Sequence, residues 1–181
     1  MRKLLTYITI LLSVSSIAFA KIDIIKDDFN GTEYYQTKEI TLSMSKAGFS
    51  TWGQIRFRTA NGNKNIIIMD VAVSYTPNTV FFLDRLYIKY SNDYIMQAEP
   101  KNRISDSGIN FTYYGSANEF ILFQFILNDK SIEAIKSKAT ILRMEKNNSY
   151  HNLNVTKKEA EKMIRALDEL LKFIDKSYKK I

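Results

Sequence analysis

The sequence predicts an α+β protein in which an antiparallel β meander or sandwich carries a long C-terminal amphipathic helix, packed on one sheet face. Between residues 21 and 153, short segments alternate apolar and polar side chains and are separated by turn residues, which is typical of half-buried antiparallel strands. Near the end of the chain, apolar residues recur every three or four positions, which indicates a helix lying against a hydrophobic core.

Residues 1–20 are predicted to be a cleaved signal peptide. Arg2 and Lys3 precede an apolar run, and Ala18-Phe19-Ala20 ends it with small residues at the two positions that signal peptidase requires. The run is shorter than the roughly 20 apolar residues of a membrane-spanning helix. We therefore expect a bacterial protein that is periplasmic or secreted, begins at Lys21, and has no transmembrane segment after cleavage.

Residues 21–181 are expected to form a single domain, because no linker rich in Pro, Gly or Ser divides them. The β-rich part is predicted over 21–153 and the helix over 155–179. The predicted strands cover 21–27, 33–44, 54–59, 65–75, 80–90, 93–98, 109–114, 119–127, 138–146 and 150–153.

Two segments carry the strongest strand signals. Residues 54–59 alternate strictly and are followed by Asn61-Gly62-Asn63, which predicts a tight hairpin because Asn and Gly tolerate positive φ. Residues 119–127 are apolar on both faces, which predicts a central strand that is covered on both sides.

Two helices are predicted. Asp129 can accept hydrogen bonds from the first turn of a short helix over 130–137. Thr156 and Glu159 have the spacing of a capping box, in which each side chain satisfies a free backbone N–H at the start of a helix. The apolar stripe of that final helix comprises Ala160, Met163, Ile164, Leu167, Leu170, Leu171, Ile174 and Tyr178.

The composition excludes several kinds of site. The chain has no Cys and one His, so disulfides, thiolate metal sites, thiol nucleophiles and a lipid-modified Cys are impossible. The formal net charge of +7 falls to +5 once the two cations of the signal are removed. This charge is spread along the chain, so we expect no nucleic-acid partner. We also expect no metal and no cofactor.

The candidate binding residues are aromatic or cationic. Aromatic side chains on a sheet surface stack on sugars or anchor protein interfaces, and Arg binds anionic groups. The candidates are Tyr34, Trp52, Arg56, Arg58, Tyr87 and Tyr113. We also expect Lys64 to form a basic patch with Arg56 and Arg58 around the first hairpin, with Arg85 and Lys89 beside it.

No catalytic residue is predicted. His151 is the only imidazole, and its position after a turn favours an exposed or sheet-edge side chain. We therefore expect a non-enzymatic exported protein of unknown partner, which binds a protein or an envelope polymer through its sheet surface. Two alternatives stay open. One is a glycan-binding module. The other is a hydrolase of envelope glycans, which needs two carboxylates facing each other across a cleft, and the available ones are Asp84, Glu99, Asp106 and Glu119.

Overall fold

A computed structural model describes residues 22–26, 31–46, 49–75, 83–100, 110–111, 117–146 and 149–178. In these ranges the chain forms two antiparallel sheets, one of seven strands and one of four, together with two helices. The α+β prediction is therefore confirmed. The predicted signal peptide, residues 1–20, lies outside the described ranges.

The strands are numbered in chain order. They are β1 Asp23–Lys26, β2 Glu33–Gln36, β3 Ile40–Lys46, β4 Phe49–Ala60, β5 Asn63–Tyr75, β6 Arg85–Tyr90, β7 Ile95–Ala98, β8 Asn110–Phe111, β9 Ala117–Leu127, β10 Ala139–Lys146 and β11 Ser149–Asn154. The helices are α1 Asp129–Lys136 and α2 Lys157–Tyr178. The larger sheet has the order β1-β2-β4-β5-β9-β8, with β3 also paired to β4, and the smaller sheet has the order β11-β10-β6-β7.

Strand β4 is long enough to pair with two short strands in succession. Gln36 of β2 lies opposite Arg58, and β3 pairs with the other half of β4. Between β2 and β3, the buried Thr37 donates its N–H to the Phe57 carbonyl at 2.8 Å, and its hydroxyl accepts the Phe57 N–H at 3.0 Å. The prediction of one continuous strand over 33–44 is therefore wrong, because residues 37–39 interrupt it and shift the register against β4 between Gln36–Arg58 and Ile40–Ile55.

The predicted hairpin between β4 and β5 is confirmed. Gly62 has a φ of +70°, a conformation that glycine adopts without a steric penalty. Beyond the turn the register is irregular, because Ala60 lies opposite Asn63 while Thr59 already lies opposite Ile67. This shift decides which side chains of β5 face the arginines of β4.

Helix α1 is capped by a different residue from the predicted one. Asn128 has an extended backbone, and its side chain accepts the Ser131 N–H at 3.0 Å, while the Ser131 hydroxyl accepts the Asn128 N–H at 2.7 Å. These reciprocal bonds form a capping box. Asp129, the predicted cap, instead lies in the first turn, where its negative charge complements the helix dipole.

Helix α2 has the predicted cap and the predicted buried stripe. The Glu159 carboxylate accepts the Thr156 N–H at 2.8 Å, and the Thr156 hydroxyl accepts the Glu159 N–H at 3.3 Å. The ring of Phe173 meets Tyr35 of β2 edge to face, with centroids 5.0 Å apart. Four residues of the predicted stripe are buried: Ala160, Met163, Leu167 and Leu170. Ile164, Leu171 and Ile174 are half-buried, and the side chain of Tyr178 lies outside the described part of the chain. Ala166, which the stripe did not include, is also buried.

One hydrophobic core joins both sheets and α2. Leu86 and Ile88 of β6 are fully buried in the same cluster as Met69 of β5, Phe123 of β9 and Leu167 of α2. We call the side of each sheet that contributes to this core its inner face, and the other side its outer face.

Strand β9 is the next-to-last strand of the larger sheet, so the prediction of a central strand covered on both sides is wrong. Its residues 119–127 form a ladder with β5 alone, while β8 pairs only with Ala117 and Asn118. Its alternate residues Ile121, Phe123 and Phe125 are buried on the inner face, whereas Ile126 on the outer face is 74% exposed. Helix α2 and the smaller sheet both lie on the inner face, which leaves the apolar residue on the outer side of β9 in contact with solvent.

Candidate binding face on the smaller sheet

The two arginines that the sequence singled out lie together on the outer face of the larger sheet. The Arg56 Nε lies 3.0 Å from the Oδ2 atom of Asp70, and the Arg58 Nε lies 2.7 Å from the same atom. Gln124 donates to the other carboxylate oxygen at 2.9 Å. The Asp70 side chain is 2% exposed and the Arg58 side chain 16%, so one of the two positive charges is neutralised by a buried internal partner. This cluster therefore resembles a structural ion network more than an open anion site.

The expectation that Arg85 and Lys89 lie beside this basic patch is wrong. Arg85 and Lys89 belong to β6 and lie on the smaller sheet, so they do not adjoin Arg56 and Arg58. Lys64 instead places its ammonium group 4.7 Å from the ring centroid of Tyr35, which is a cation–π contact.

Of Tyr34, Trp52 and Tyr113, only Tyr34 has a side chain that the structure describes. Tyr34 lies in β2 and is half-buried, on the opposite side of that strand from the inward-facing Tyr35. Trp52 lies in β4, opposite Ser43 and Ser74, and its side chain lies outside the described part of the chain. Tyr113 also lies outside the described ranges.

Tyr87, the remaining candidate, lies at the centre of the outer face of the smaller sheet. Since Leu86 and Ile88 point into the core, Tyr87 points outward together with Arg85 and Lys89. The central row across the four strands is Gln97, Tyr87, Arg143 and Asn152. One flanking row is Ile95, Lys89, Ile141 and Asn154, and the other is Arg85, Glu145 and Tyr150.

This outer face forms an open depression of about 610 Å³. Its lining residues are Tyr87, Lys89, Ile95, Gln97, Ile141, Arg143, Glu145 and Tyr150. Ile95 is 55% exposed and Tyr150 is 64% exposed, and they lie on β7 and β11, at opposite margins of the sheet. The depression therefore has a polar and aromatic floor with an exposed apolar or aromatic side chain at each margin. We refer to it below as the outer depression.

Arg143 is held in place by two neighbours on β11. Its Nε donates to the Asn152 side-chain oxygen at 2.8 Å, and its guanidinium carbon lies 4.4 Å from the ring centroid of Tyr150. A guanidinium group has five N–H donors, and the bond to Asn152 uses the Nε donor. Arg143 is therefore positioned before any ligand arrives, which lowers the entropic cost of binding through it.

Tyr87 and Glu145 are coupled across β6 and β10. The Tyr87 hydroxyl donates to the Glu145 carboxylate at 2.6 Å. Tyr87, followed by Glu145, raises the pKa of the neighbouring Arg85 above its ordinary value. Phenol, carboxylate and guanidinium thus form a connected polar group along one side of the outer depression.

Among the described residues, Lys89 forms an ion pair with Asp93, whose side chain is exposed to solvent. Its ammonium nitrogen lies 2.9 Å from an Asp93 carboxylate oxygen, and the Asp93 side chain is 85% exposed. Lys89 lowers the pKa of Asp93 through this hydrogen bond and through its charge. Water screens such a surface pair strongly, so a ligand anion can replace Asp93 at little cost.

Comparisons with family models, curated proteins and solved structures gave no significant match. The outer depression is therefore interpreted from its own chemistry.

The carboxylates named for a hydrolase are not shown to face one another. Asp84 lies just before β6, where its N–H donates to the Glu145 carbonyl at 2.9 Å, and Glu99 lies 3.9 Å from Arg85. Asp106 lies outside the described ranges, and Glu119 is described only as the backbone position opposite Tyr75 in β9.

His151 is described only through its backbone, opposite Met144 in β11, the last strand of the smaller sheet. In the part of the chain that the structure describes, no three His, Asp or Glu side chains come close enough together to hold a metal ion. Neither described helix combines the length and hydropathy needed to cross a membrane.

The sequence missed most of the outer depression. Arg143 and Tyr150 come from the consecutive strands β10 and β11, whereas Ile95 comes from the distant β7. Each looks like an ordinary surface residue of an alternating strand. The available signal was the alternation itself, which places Tyr87 and Arg143 outward on their own strands without showing that β6 and β10 are neighbours.

Proposed function

We propose that this chain is an exported, non-enzymatic bacterial protein that binds a component of the cell envelope through the outer depression. The observation that carries the proposal is the combination of exposed Ile95 and Tyr150 with a floor whose charged side chains are already ordered. Exposed apolar side chains around ordered polar groups are typical of recognition sites, because they supply binding energy while the polar groups fix orientation.

The hydrogen bonds that fix the side chains of the outer depression favour a binding role over a catalytic one. Glu145 accepts from Tyr87, and Arg143 donates to Asn152 and covers Tyr150. Side chains fixed in this way lose little freedom when a ligand arrives. The sequence supports the same class of function, since it has no recognisable catalytic motif.

The proposal is tested by capture from the envelope fraction of the native cell. Protein produced from the full chain is immobilised, and bound protein and saccharide are both measured. We expect Ile95→Ser and Tyr150→Ala to reduce the captured material by more than half. Ile126→Ser is the matched control, because Ile126 is equally apolar and 74% exposed but lies on the larger sheet. Capture that is unchanged in Ile95→Ser and Tyr150→Ala would contradict the proposed site.

Export is tested on the protein from the native cell. We expect its first residue to be Lys21 and the protein to occur in the periplasm or the medium. Ala20→Arg should block cleavage, because a large cation does not fit the peptidase pocket. An intact N-terminus on cytoplasmic protein would contradict export without bearing on the binding site.

A further inference from the structure

The outer depression has an asymmetric distribution of charge. Arg143 lies directly opposite Tyr87, and Lys89 is the next outward residue along β6, so the two cations are diagonal neighbours about 7–8 Å apart at the backbone. Glu145 is the one acidic residue in the lining, and it already accepts the Tyr87 hydroxyl. Two cations and one carboxylate leave the lining with a net charge of +1, which favours an anionic ligand.

Beside these cations lies the ring of Tyr150, which contacts Arg143 and still has exposed surface for a ligand. The guanidinium of Arg143 lies over the ring of Tyr150, which is nevertheless 64% exposed. The C–H surface of a sugar ring packs well on such an aromatic group, while its hydroxyls need nearby polar partners. Gln97 and Asn152, in the central row, can both donate and accept hydrogen bonds.

From these two observations we infer that the ligand of the outer depression is a saccharide that carries a carboxylate. In this arrangement Arg143 and Lys89 bind the carboxylate, and Tyr150 packs against the sugar ring. The inference rests on the proposed function and specifies its ligand class.

The placement of the outer depression disfavours a bound peptide strand. Extended peptides add to the edge of a sheet, where main-chain N–H and C=O groups are unpaired. The centre of the outer depression is formed by β6 and β10, and each of these strands is paired on both sides. A ligand here is recognised through side chains alone, which suits a ring with hydroxyls and a carboxylate.

An acyl chain is also disfavoured, because it would bury charged groups. Lys89, Arg143 and Glu145 all line the outer depression. Covering them with hydrocarbon would remove their contact with water without supplying hydrogen bonds in return.

The test uses a pair of sugars that differ in the carboxylate. Binding of trigalacturonate and of galactotriose to the full chain is measured by titration calorimetry at low salt. We expect trigalacturonate to bind at least about tenfold more tightly, since hydrogen bonds to a charged group are stronger than those between neutral groups. Raising NaCl to about 0.5 M should reduce this difference, because salt screens exposed charges. Equal affinity for the two sugars would overturn the inference.

Three substitutions assign the roles of the side chains. Arg143→Gln and Lys89→Gln should each weaken trigalacturonate binding about tenfold. Arg165→Gln is the matched control, because it removes an exposed cation from α2. Tyr150→Ala should weaken binding of both sugars, and Tyr150→Phe should restore it, since the ring is retained. Far-UV circular dichroism of every variant shows whether the fold is intact. Unchanged binding in a folded Arg143→Gln protein would contradict the assignment.

A triglutamate peptide separates sugar recognition from charge alone. We expect it to bind at least about tenfold more weakly than trigalacturonate, and equal binding would overturn the saccharide inference. If no probe binds while Ile95→Ser and Tyr150→Ala still lower capture from the envelope fraction, the ligand class is wrong and the proposed function stands. If those two variants also leave capture unchanged, both proposals fail.

Discussion

The carboxylate of Asp70 is held by three side chains from two neighbouring strands. Arg56 and Arg58 of β4 donate to one oxygen at 3.0 and 2.7 Å, and Gln124 of β9 donates to the other at 2.9 Å. The carboxylate is almost fully buried, so its charge is tolerable only because each of its oxygens has a partner.

We expect Asp70→Asn to lower the free energy of unfolding by at least about 2 kcal/mol. The substitution keeps the shape of the side chain but leaves two neighbouring guanidinium groups without a negative charge. Urea denaturation measures the change. Asp93→Asn is the control, because Asp93 forms an ion pair but is 85% exposed, and it should cost about 1 kcal/mol or less. Equal effects of the two substitutions would contradict a structural role for Asp70.

The sequence pattern predicts the two arginines of this cluster but not Asp70 or Gln124. Strict alternation places Arg56 and Arg58 on the same side of β4, and the structure agrees. Asp70 was not assigned to them, because a regular ladder beginning at the Ala60–Asn63 pair would bring Arg56 opposite Ile67. The irregularity after that pair shifts the register, so that Arg56 lies opposite Asp70. No local feature of the sequence marks the size of this shift.

Among the elements, α2 is the one that local signals define best. Its capping box and its apolar stripe are encoded by the 22 residues of the helix and by Thr156 just before it, and they need no information about the rest of the chain. Strands β2 and β3 behave differently, because the break between them depends on Thr37 bonding to the distant Phe57. Their boundary is a tertiary property.

We expect Leu167→Asp to lower the free energy of unfolding by about 4 kcal/mol. Leu167 is fully buried between α2 and the core, so a carboxylate there loses water without gaining a partner. Thermal and urea denaturation measure the loss. Leu167→Ala, expected to cost about 3 kcal/mol, provides a measurable value if the Asp variant does not fold.

The control for this element is Lys162→Asp, because Lys162 lies on the exposed side of the same helix. It should change stability by no more than about 0.5 kcal/mol. Similar stabilities for Leu167→Asp and Lys162→Asp would mean that α2 does not pack on the sheet in solution.

At the scale of the whole molecule, Tyr90 reports on the integrity of the core between the sheets. Its side chain is fully buried, and its hydroxyl donates to the Met96 sulfur at 3.3 Å. Burial, followed by the nearby Tyr94, raises the pKa of Tyr90 well above the ordinary value of 10.0. The folded protein therefore retains the phenol proton under conditions in which the unfolded chain releases it.

This pKa shift predicts a loss of stability at alkaline pH. The contribution of Tyr90 is fully present below about pH 10 and is lost as the pH rises from there towards the raised pKa of the folded state. In that range it adds a slope of about 1.4 kcal/mol per pH unit to the decline in unfolding free energy. Tyr90→Phe should lack this slope and show nearly wild-type stability at pH 7, because a thioether is a weak acceptor.

Urea denaturation between pH 8 and pH 11.5 makes the comparison. Tyr150→Phe is the control, because it removes an exposed phenol instead of a buried one. A Tyr90→Phe protein that declines as steeply as the wild type above pH 10 would show that the buried phenol is not responsible.

The outer depression also belongs to the scale of the whole molecule. Its residues come from β6, β7, β10 and β11, and β6 is separated from β10 in sequence by β7, β8, β9 and α1. Of the residues that line it, sequence reasoning singled out Tyr87 as a binding candidate and Lys89 only as part of a basic patch that the structure divides. Arg143 and Tyr150 are recognisable as binding residues only from the pairing of β6 with β10 and from the position of the Tyr150 ring beneath the Arg143 guanidinium.

Four properties of this protein follow from its amino-acid sequence alone: the α+β class, the hairpin at Asn61-Gly62, the capped amphipathic helix and the chemistries that a chain without Cys cannot perform. These features depend on residue types and on periodicities of two or 3.6, which act over a few neighbouring residues. The packing of distant segments is what places Asp70 against two arginines and brings Tyr87, Arg143 and Tyr150 to one surface. The reason is that strand order and register depend on how distant segments pack and on irregularities in their pairing, neither of which leaves a local trace in the chain.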